Sequence, residues 1–185
     1  MRSLIVTLGL ALALVACGPV AKKYKTDPRL DPLFAELKAA DNPVSARMVE
    51  AKIWSIWSES GSATVDILLE RAQAAEASGD KALARSFLDQ AVQILPDYAE
   101  AYNRRAVLAF DADDRSAAVA DIEAALEREP RHFAALTGLG MIYESMNQKR
   151  AALEAYKAAL EIDPHLDRAK QGVARLAPTV EGRET

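Results

Sequence analysis

Apolar side chains recur three or four residues apart through most of the chain beyond residue 30, and prolines or small turn-forming residues interrupt the pattern at intervals. This spacing places the apolar side chains on one face of an α-helix. The interruptions divide the chain into segments of ordinary helix length. The pattern therefore predicts an all-α protein built from a series of amphipathic helices.

Four columns of residues repeat with a period of 34 from Val65 onwards. The prolines of one column lie where a helix must end, because proline cannot continue the backbone hydrogen-bond ladder. The alanines of two further columns are small enough to let paired helices approach closely. The columns are Pro96, Pro130 and Pro164; Ala84, Ala118 and Ala152; Ala91, Ala125 and Ala159; and the larger Leu88, Ile122 and Tyr156.

Another column marks a turn in the middle of each period. It contains Gly79, Asp113 and Asn147, which are residue types that tolerate a left-handed backbone at the end of a helix. Small residues recur on the helix before this turn, at Ala72, Ala106 and Gly140. Each period is therefore predicted to be a helix, a short turn and a second antiparallel helix.

The segment ALTGLGMIYE, followed by AALEAYKAALEIDP, resembles the tetratricopeptide repeat (TPR). The resemblance implies three helix-turn-helix repeats, over residues 65–98, 99–132 and 133–166, stacked into an α-solenoid. Because a repeat cannot bury its apolar faces alone, both ends of the array need caps.

Residues 167–177 are predicted to form the C-terminal capping helix, which completes a TPR domain over residues 61–177. An apolar stripe of Ala169, Val173 and Leu176 would face the array, and Pro178 would end the helix. The tail, residues 178–185, is expected to be disordered.

A helical hairpin is predicted at residues 32–60, before the repeats. On its second helix Val49, Ile53, Ile56 and Trp57 share one face, and Trp57 is expected to cover the first repeat. Trp54 lies at the edge of that face, so either packing or a partner or membrane contact would suit it. Ser62 is expected to cap the following helix.

The N-terminus has the pattern of a signal peptide over residues 1–16, with one arginine before an apolar stretch from Leu4 to Val15. Leu14, Val15, Ala16 and Cys17 resemble the lipobox of bacterial lipoproteins, which implies cleavage before Cys17 and lipidation of its thiol. Residues 17–31 are polar and are predicted to form the lipidated N-terminus and a tether between the membrane and the folded domain. The resemblance implies an anchor in the outer membrane that faces the periplasm. Ordinary cleavage, which would release a soluble periplasmic protein, is the alternative.

In this family the first helices of the repeats line a concave surface, and the register carries that surface onto this chain. This surface begins with Asp66, Glu100 and Ala134, which lie near the start of the three first helices. An apolar middle between acidic rims suits an extended peptide or a partner helix with basic residues; the alternative is that these positions are merely solvated. The predicted groove residues are Leu69, Gln73, Glu76, Asn103, Arg104, Val107, Phe110, Thr137, Met141 and Glu144.

Two adjacent arginines stand on the first helix of the second repeat. Arg105 occupies an apolar column, so its stem is expected to pack while its head reaches water. Arg104 follows Glu100 by four residues, the favourable order for a helical ion pair. It could instead bind a carboxylate of a partner together with Asn103. Chaperone-binding members of the family use a distributed carboxylate clamp, whose places are held here by residues such as Leu69 and Ala134.

Composition and motifs argue against several classes of function. The formal net charge of −4 disfavours nucleic acid as a partner, and one cysteine with two histidines cannot form a zinc site of the usual kind. His132 and His165 are expected to be solvated or to cap loops, and an inter-repeat metal pair is the alternative. No catalytic motif is present, so we expect neither enzyme activity nor a cofactor. The sequence thus predicts a protein-interaction scaffold, with a subunit of an envelope enzyme or a self-assembling protein as alternatives.

Overall fold

The computed structural model describes residues 27–182. Within that range the chain is all-α, as the periodicity predicts, with nine helices and no strand. The helices are α1 Leu30–Lys38, α2 Pro43–Trp57, α3 Ala63–Ala77, α4 Lys81–Ile94, α5 Ala99–Asp111, α6 Arg115–Arg128, α7 Phe133–Ser145, α8 Lys149–Ile162 and α9 Asp167–Val180.

The helices from α3 to α8 form three antiparallel hairpins, and each hairpin packs against the next to make an α-solenoid. The core of every hairpin is centred on the column of large side chains, which are Leu88, Ile122 and Tyr156. None of them is more than 2% exposed. The flanking alanines of the 34-residue columns are fully buried. Helix α9 packs against α8 and α7 and closes the C-terminal end of the stack.

The turns within the repeats have the left-handed backbone that the sequence predicts. The φ angles are +81° at Gly79, +64° at Asp113 and +58° at Asn147. In the first two repeats an aspartate then caps the second helix: the amide of Leu83 donates to Asp80, and that of Ala117 to Asp114. These local signals set the length of each helix before any tertiary contact is made.

Tyr156 is accommodated by two glycines on neighbouring helices. A Cβ built on Gly140 would lie 2.6 Å from the ring of Tyr156, and one on Gly172 would lie 2.4 Å from it. The other repeats have Leu88 and Ile122 in place of Tyr156, and they have Ala72 and Ala106 in place of Gly140. The larger ring of the third repeat therefore requires the absence of side chains on α7 and α9.

The N-terminal hairpin does not cover the first repeat as expected. Trp57 is buried, but its ring stacks on His132 at 4.2 Å and packs on Phe133 at 5.0 Å, at the start of α7 where the second repeat meets the third. Arg131 binds Asp31 of α1 at 2.7 Å, and His165 donates to the carbonyl of Ala40 at 3.0 Å. The hairpin therefore lies along the edge of the solenoid formed by the loops between repeats.

Two boundaries differ from the prediction. Helix α1 begins at Leu30, so the last residues assigned to the tether belong to the folded hairpin, and Leu30 is only 1% exposed. Helix α9 continues through Pro178 to Val180, because proline in the last turn loses only one backbone hydrogen bond. Cys17 and the predicted signal peptide lie outside the described residues. Among the helices of residues 27–182, none has the length and hydropathy of a membrane-spanning segment.

Candidate functional site

The face to which the first helices of the repeats contribute carries two open regions, and we call it the concave face. The first lies on α3 and α5 and consists of two adjoining cavities of about 260 and about 320 Å³. We call it the first-repeat cavity; its lining residues are Ser58, Asp66, Leu69, Glu70, Gln73, Glu76, Arg104 and Val107. The second, of about 460 Å³, is the third-repeat cavity; it is lined by Phe110, Met141, Glu144, Ser145, Tyr156, Arg168, Gln171 and Arg175.

The first-repeat cavity has an acidic wall and one exposed apolar side chain. Val107 is 54% exposed, whereas Leu69, although it lines the cavity, is only 6% exposed. Partial burial raises the pKa of Glu76, and nearby Asp111 adds to that effect while Arg104 opposes it. A cationic group in the cavity would stabilise the ionised carboxylate of Glu76.

The third-repeat cavity joins apolar surface to arginines of α9. Arg175 binds Glu144 through two hydrogen bonds of 2.9 and 2.8 Å, and the hydroxyl of Tyr156 donates to the same carboxylate at 3.0 Å. The bond from Arg175 lowers the pKa of Glu144, while burial and Glu144 raise that of Tyr156 to about 12. Arg168 has no carboxylate partner in residues 27–182 and donates to the sulfur of Met141 at 3.2 Å.

Sequence reasoning missed the contribution of α9 to this wall. A signal was present, because Arg168, Gln171 and Arg175 lie 34 residues beyond Ala134, Thr137 and Met141. The capping helix thus continues the concave columns of the three repeats. Treating α9 only as a cap left these three residues out of the predicted site.

Part of the predicted groove is closed. Glu100 is 4% exposed and accepts hydrogen bonds from Arg104 at 2.9 Å, Asn103 at 3.0 Å and the ring of His132 at 3.2 Å. Burial would raise the pKa of Glu100, but His132 and Arg104 outweigh that effect and lower it. Thr137 is also buried and donates to the carbonyl of Phe133. Asn103 and Thr137 therefore offer little open surface, and the carboxylate of Glu100 is already compensated.

Ala134 is withdrawn from the groove because it packs against the N-terminal hairpin. Trp54 is part of the same junction, with its ring 5.7 Å from that of His132 and 6.1 Å from that of Phe133. Both residues hold the hairpin against the solenoid. The sequence could not indicate this, since the hairpin lies outside the repeat register.

The head of Arg105 is not solvated, which corrects the expectation. It binds Asp89 on α4 at 2.9 Å and Asp121 on α6 at 2.8 and 2.5 Å, and its side chain is 19% exposed. The hydrogen bonds to Asp121 raise the pKa of Arg105, burial opposes this effect, and Asp89 adds to it. Arg105 therefore ties the first two repeats together. The predicted ion pair between Arg104 and Glu100 is present.

His132 caps α7. Its Nδ1 accepts the amide of Ala135 at 3.2 Å, so the ring proton is on Nε2 and is donated to Glu100. Its side chain is fully buried under Trp57. Within residues 27–182 there is no group of three or more residues that could hold a metal ion.

A stack of helical hairpins with an open concave face defines a helical-repeat protein. Family models of the tetratricopeptide repeat match residues 99–132 and 133–166. A TPR repeat-containing protein of Rhizobium etli is 38% identical over 157 residues, which represent 85% of this chain and 77% of that protein. The chain belongs to the TPR repeat-containing proteins.

Solved structures share the same solenoid. The TPR domain of Sgt2 from Aspergillus fumigatus superposes with a TM-score of 0.61 at 24% identity, over 66% of this chain and 83% of that one. The first TPR domain of Spaghetti (RPAP3), bound to the HSP90 peptide SRMEEVD, gives 0.61 at 16% identity over 64% and 94% of the two chains. At these identities the likeness establishes the fold.

Proposed function

We propose that this protein is a non-catalytic adaptor that holds a peptide or helix of a partner protein in its concave groove. The observation that carries the proposal is the pair of open cavities on the concave face, which join exposed apolar atoms to charged groups. Peptide binding by the similar TPR domain of Spaghetti supports the same use of the fold. An extended segment would fit the groove better than a compact ligand, since the two cavities lie at different repeats of the array.

The charges give the groove two unlike ends. At the first-repeat end the three carboxylates of Asp66, Glu70 and Glu76 outnumber the single cation Arg104. At the other end Arg168 and Arg175 outnumber Glu144. We infer that a partner places basic residues against α3 and acidic or polar residues against α9, with an apolar side chain between them near Val107 or Phe110. Such complementarity sets direction and partner choice more than affinity.

We further propose that the adaptor works in the bacterial cell envelope, anchored through lipid on Cys17. The support is the order of arginine, apolar stretch and Leu14–Cys17 motif at the N-terminus. Several acyl chains are needed for a stable anchor, whereas one holds only marginally. Anchoring would concentrate the groove at the membrane, where a weak partner is captured more readily.

The groove is tested by recovery of partners from cross-linked bacterial membranes with the full-length tagged chain. Val107→Lys changes an exposed side chain of the first-repeat cavity without removing core packing, and Phe110→Ala with Met141→Ala changes the other cavity. We expect each to lower recovery of specific partners at least fivefold. Met48→Ala is the matched control, because Met48 is 65% exposed on α2. Equal recovery with all variants would reject the groove.

The anchor is tested separately by the mass of the mature N-terminus and by membrane fractionation. We expect a lipid-modified Cys17, sensitivity of processing to globomycin, and release of Cys17→Ser from washed membranes. An unmodified N-terminus with the protein in the soluble periplasmic fraction would reject lipidation and leave the adaptor role standing.

A further inference from the structure

Among residues 27–182, none forms a helix that covers the N-terminal end of the solenoid. Five residues of the first repeat, on the side of α3 and α4 away from α5, are more exposed than their counterparts 34 and 68 residues later. We call this surface the end face; it consists of Ile67, Arg71, Leu83, Phe87 and Ile94. The N-terminal hairpin leaves it open, because that hairpin lies on the loops of the later repeats.

The later repeats show what normally covers this surface. Ala101, Ala135 and Ala169 stand at the position of Ile67 and are all fully buried, since the second helix of the preceding repeat packs on each of them. Ile67 itself is 49% exposed. The end face therefore presents the side of a repeat that is built to receive a helix.

Charge at the end face specifies the chemistry of that helix. Arg105, one repeat on from Arg71, binds Asp89 of the preceding helix and Asp121 of its own repeat. Arg71 has neither partner. Phe87 stands where the second repeat has Asp121. Within residues 27–182, no residue forms an ion pair or hydrogen bond with Arg71. An arginine beside exposed apolar side chains is left without the carboxylate that the same position receives inside the array.

We propose that the end face docks one helix of a partner protein, in the place of a preceding repeat's second helix. The partner helix carries an apolar stripe that covers Ile67 and Phe87, and an aspartate or glutamate that binds Arg71 as Asp89 binds Arg105. This surface is separate from the concave groove, so an adaptor could hold two proteins at once.

The test uses a probe with this chemistry, namely a synthetic α4 peptide of residues 79–97 that is fluorescently labelled and stapled between positions 82 and 86. The staple is needed because α4 has only 14 residues, and an isolated helix of that length is marginally stable in water. We expect saturable binding to the full-length chain by fluorescence anisotropy. Ile67→Asp should weaken it at least tenfold, whereas Val107→Asp in the groove should change it less than twofold. Both replaced side chains are about half exposed, so the variants should remain folded.

A charge exchange identifies the contact. Arg71→Glu should weaken binding of the α4 peptide, and a peptide with Asp89→Arg should restore it on that variant alone. Absence of saturable binding, or equal loss with Val107→Asp, would overturn the proposal. Dependence on Arg105 instead of Arg71 would also overturn it, since the peptide would then be displacing the chain's own α4. A dimer in sedimentation that Ile67→Asp abolishes would overturn it in favour of a second copy as the occupant.

Discussion

Tyr156 illustrates how one side chain constrains two helices at the residue scale. Its ring fills the space that side chains at Gly140 and Gly172 would occupy, and its hydroxyl reaches Glu144. The 34-residue columns predict where this tyrosine lies. They do not predict that a larger ring is matched by glycine on both neighbours, because complementarity of volume depends on the helix crossings.

Replacement of Gly140 by alanine should destabilise the third repeat by about 1–3 kcal/mol, because the new methyl group overlaps the ring of Tyr156. Urea denaturation measures the free energy of unfolding. The control is Gly138→Ala, where the nearest atom lies 3.7 Å away; it should gain about 0.5–1 kcal/mol from helix propensity. Combining Gly140→Ala with Tyr156→Leu should cost less than the sum of the single changes. A strictly additive double variant would contradict the overlap.

Glu50 should make stability depend on pH. Its carboxyl lies beside the fully buried Asp163, and burial together with that negative charge raises the pKa of Glu50. A carboxyl with a raised folded pKa stabilises the fold when protonated, and this contribution is lost as the pH rises through that pKa. Glu50→Gln should therefore be more stable than the wild type at neutral pH, by less than about 1 kcal/mol because the group is partly exposed.

This difference should vanish near about pH 4, where the wild-type carboxyl is protonated. Denaturation midpoints at both pH values provide the measurement. Glu161→Gln, at an exposed position on α8, is the matched control for the change from carboxyl to amide. A gain from Glu50→Gln that is constant with pH would rule out the titration.

At the scale of the element, local signals in the sequence determine where the helices of each hairpin begin and end. The left-handed residues at the turns and the aspartate caps that follow them have the positions expected from the repeat register. These features depend on residues within four positions of one another, and for that reason they could be predicted.

Gly79→Ala should cost about 1–2 kcal/mol, because a Cβ is unfavourable at a φ of +81°. No atom lies within 4 Å of the new methyl group, so any loss reports backbone strain and not a clash. Asn147→Gly should have the opposite sign or little effect, since glycine relieves the same backbone strain at +58°. Thermal unfolding of both variants gives the comparison, and an unchanged melting temperature for Gly79→Ala would refute the explanation.

At the scale of the whole molecule, the position of the N-terminal hairpin was beyond sequence reasoning. Its contacts join residues about one hundred positions apart, such as Asp31 with Arg131, and none of them belongs to the 34-residue columns. The same columns predicted the solenoid. When the columns are extended by another 34 residues, they include Arg168 and Arg175 and place both on the concave wall.

Trp57→Ala should detach this hairpin and leave the solenoid folded. The change removes the ring that packs on His132 and Phe133, at a cost of about 3–5 kcal/mol. Hydrogen exchange should rise in α1 and α2 and stay low in the buried parts of α5, α6 and α8. Met48→Ala, on the exposed side of α2, should leave exchange unchanged. A uniform rise across all helices would show that the hairpin and the repeats unfold as one unit.

Helix α9 serves both as the seal of the last repeat and as a wall of the third-repeat cavity. Fraying of the C-terminal end and binding of a ligand in that cavity are therefore expected to be linked equilibria. A ligand held in that cavity should slow proteolysis of α9, and a change that loosens α9 should weaken binding even when it touches no ligand atom.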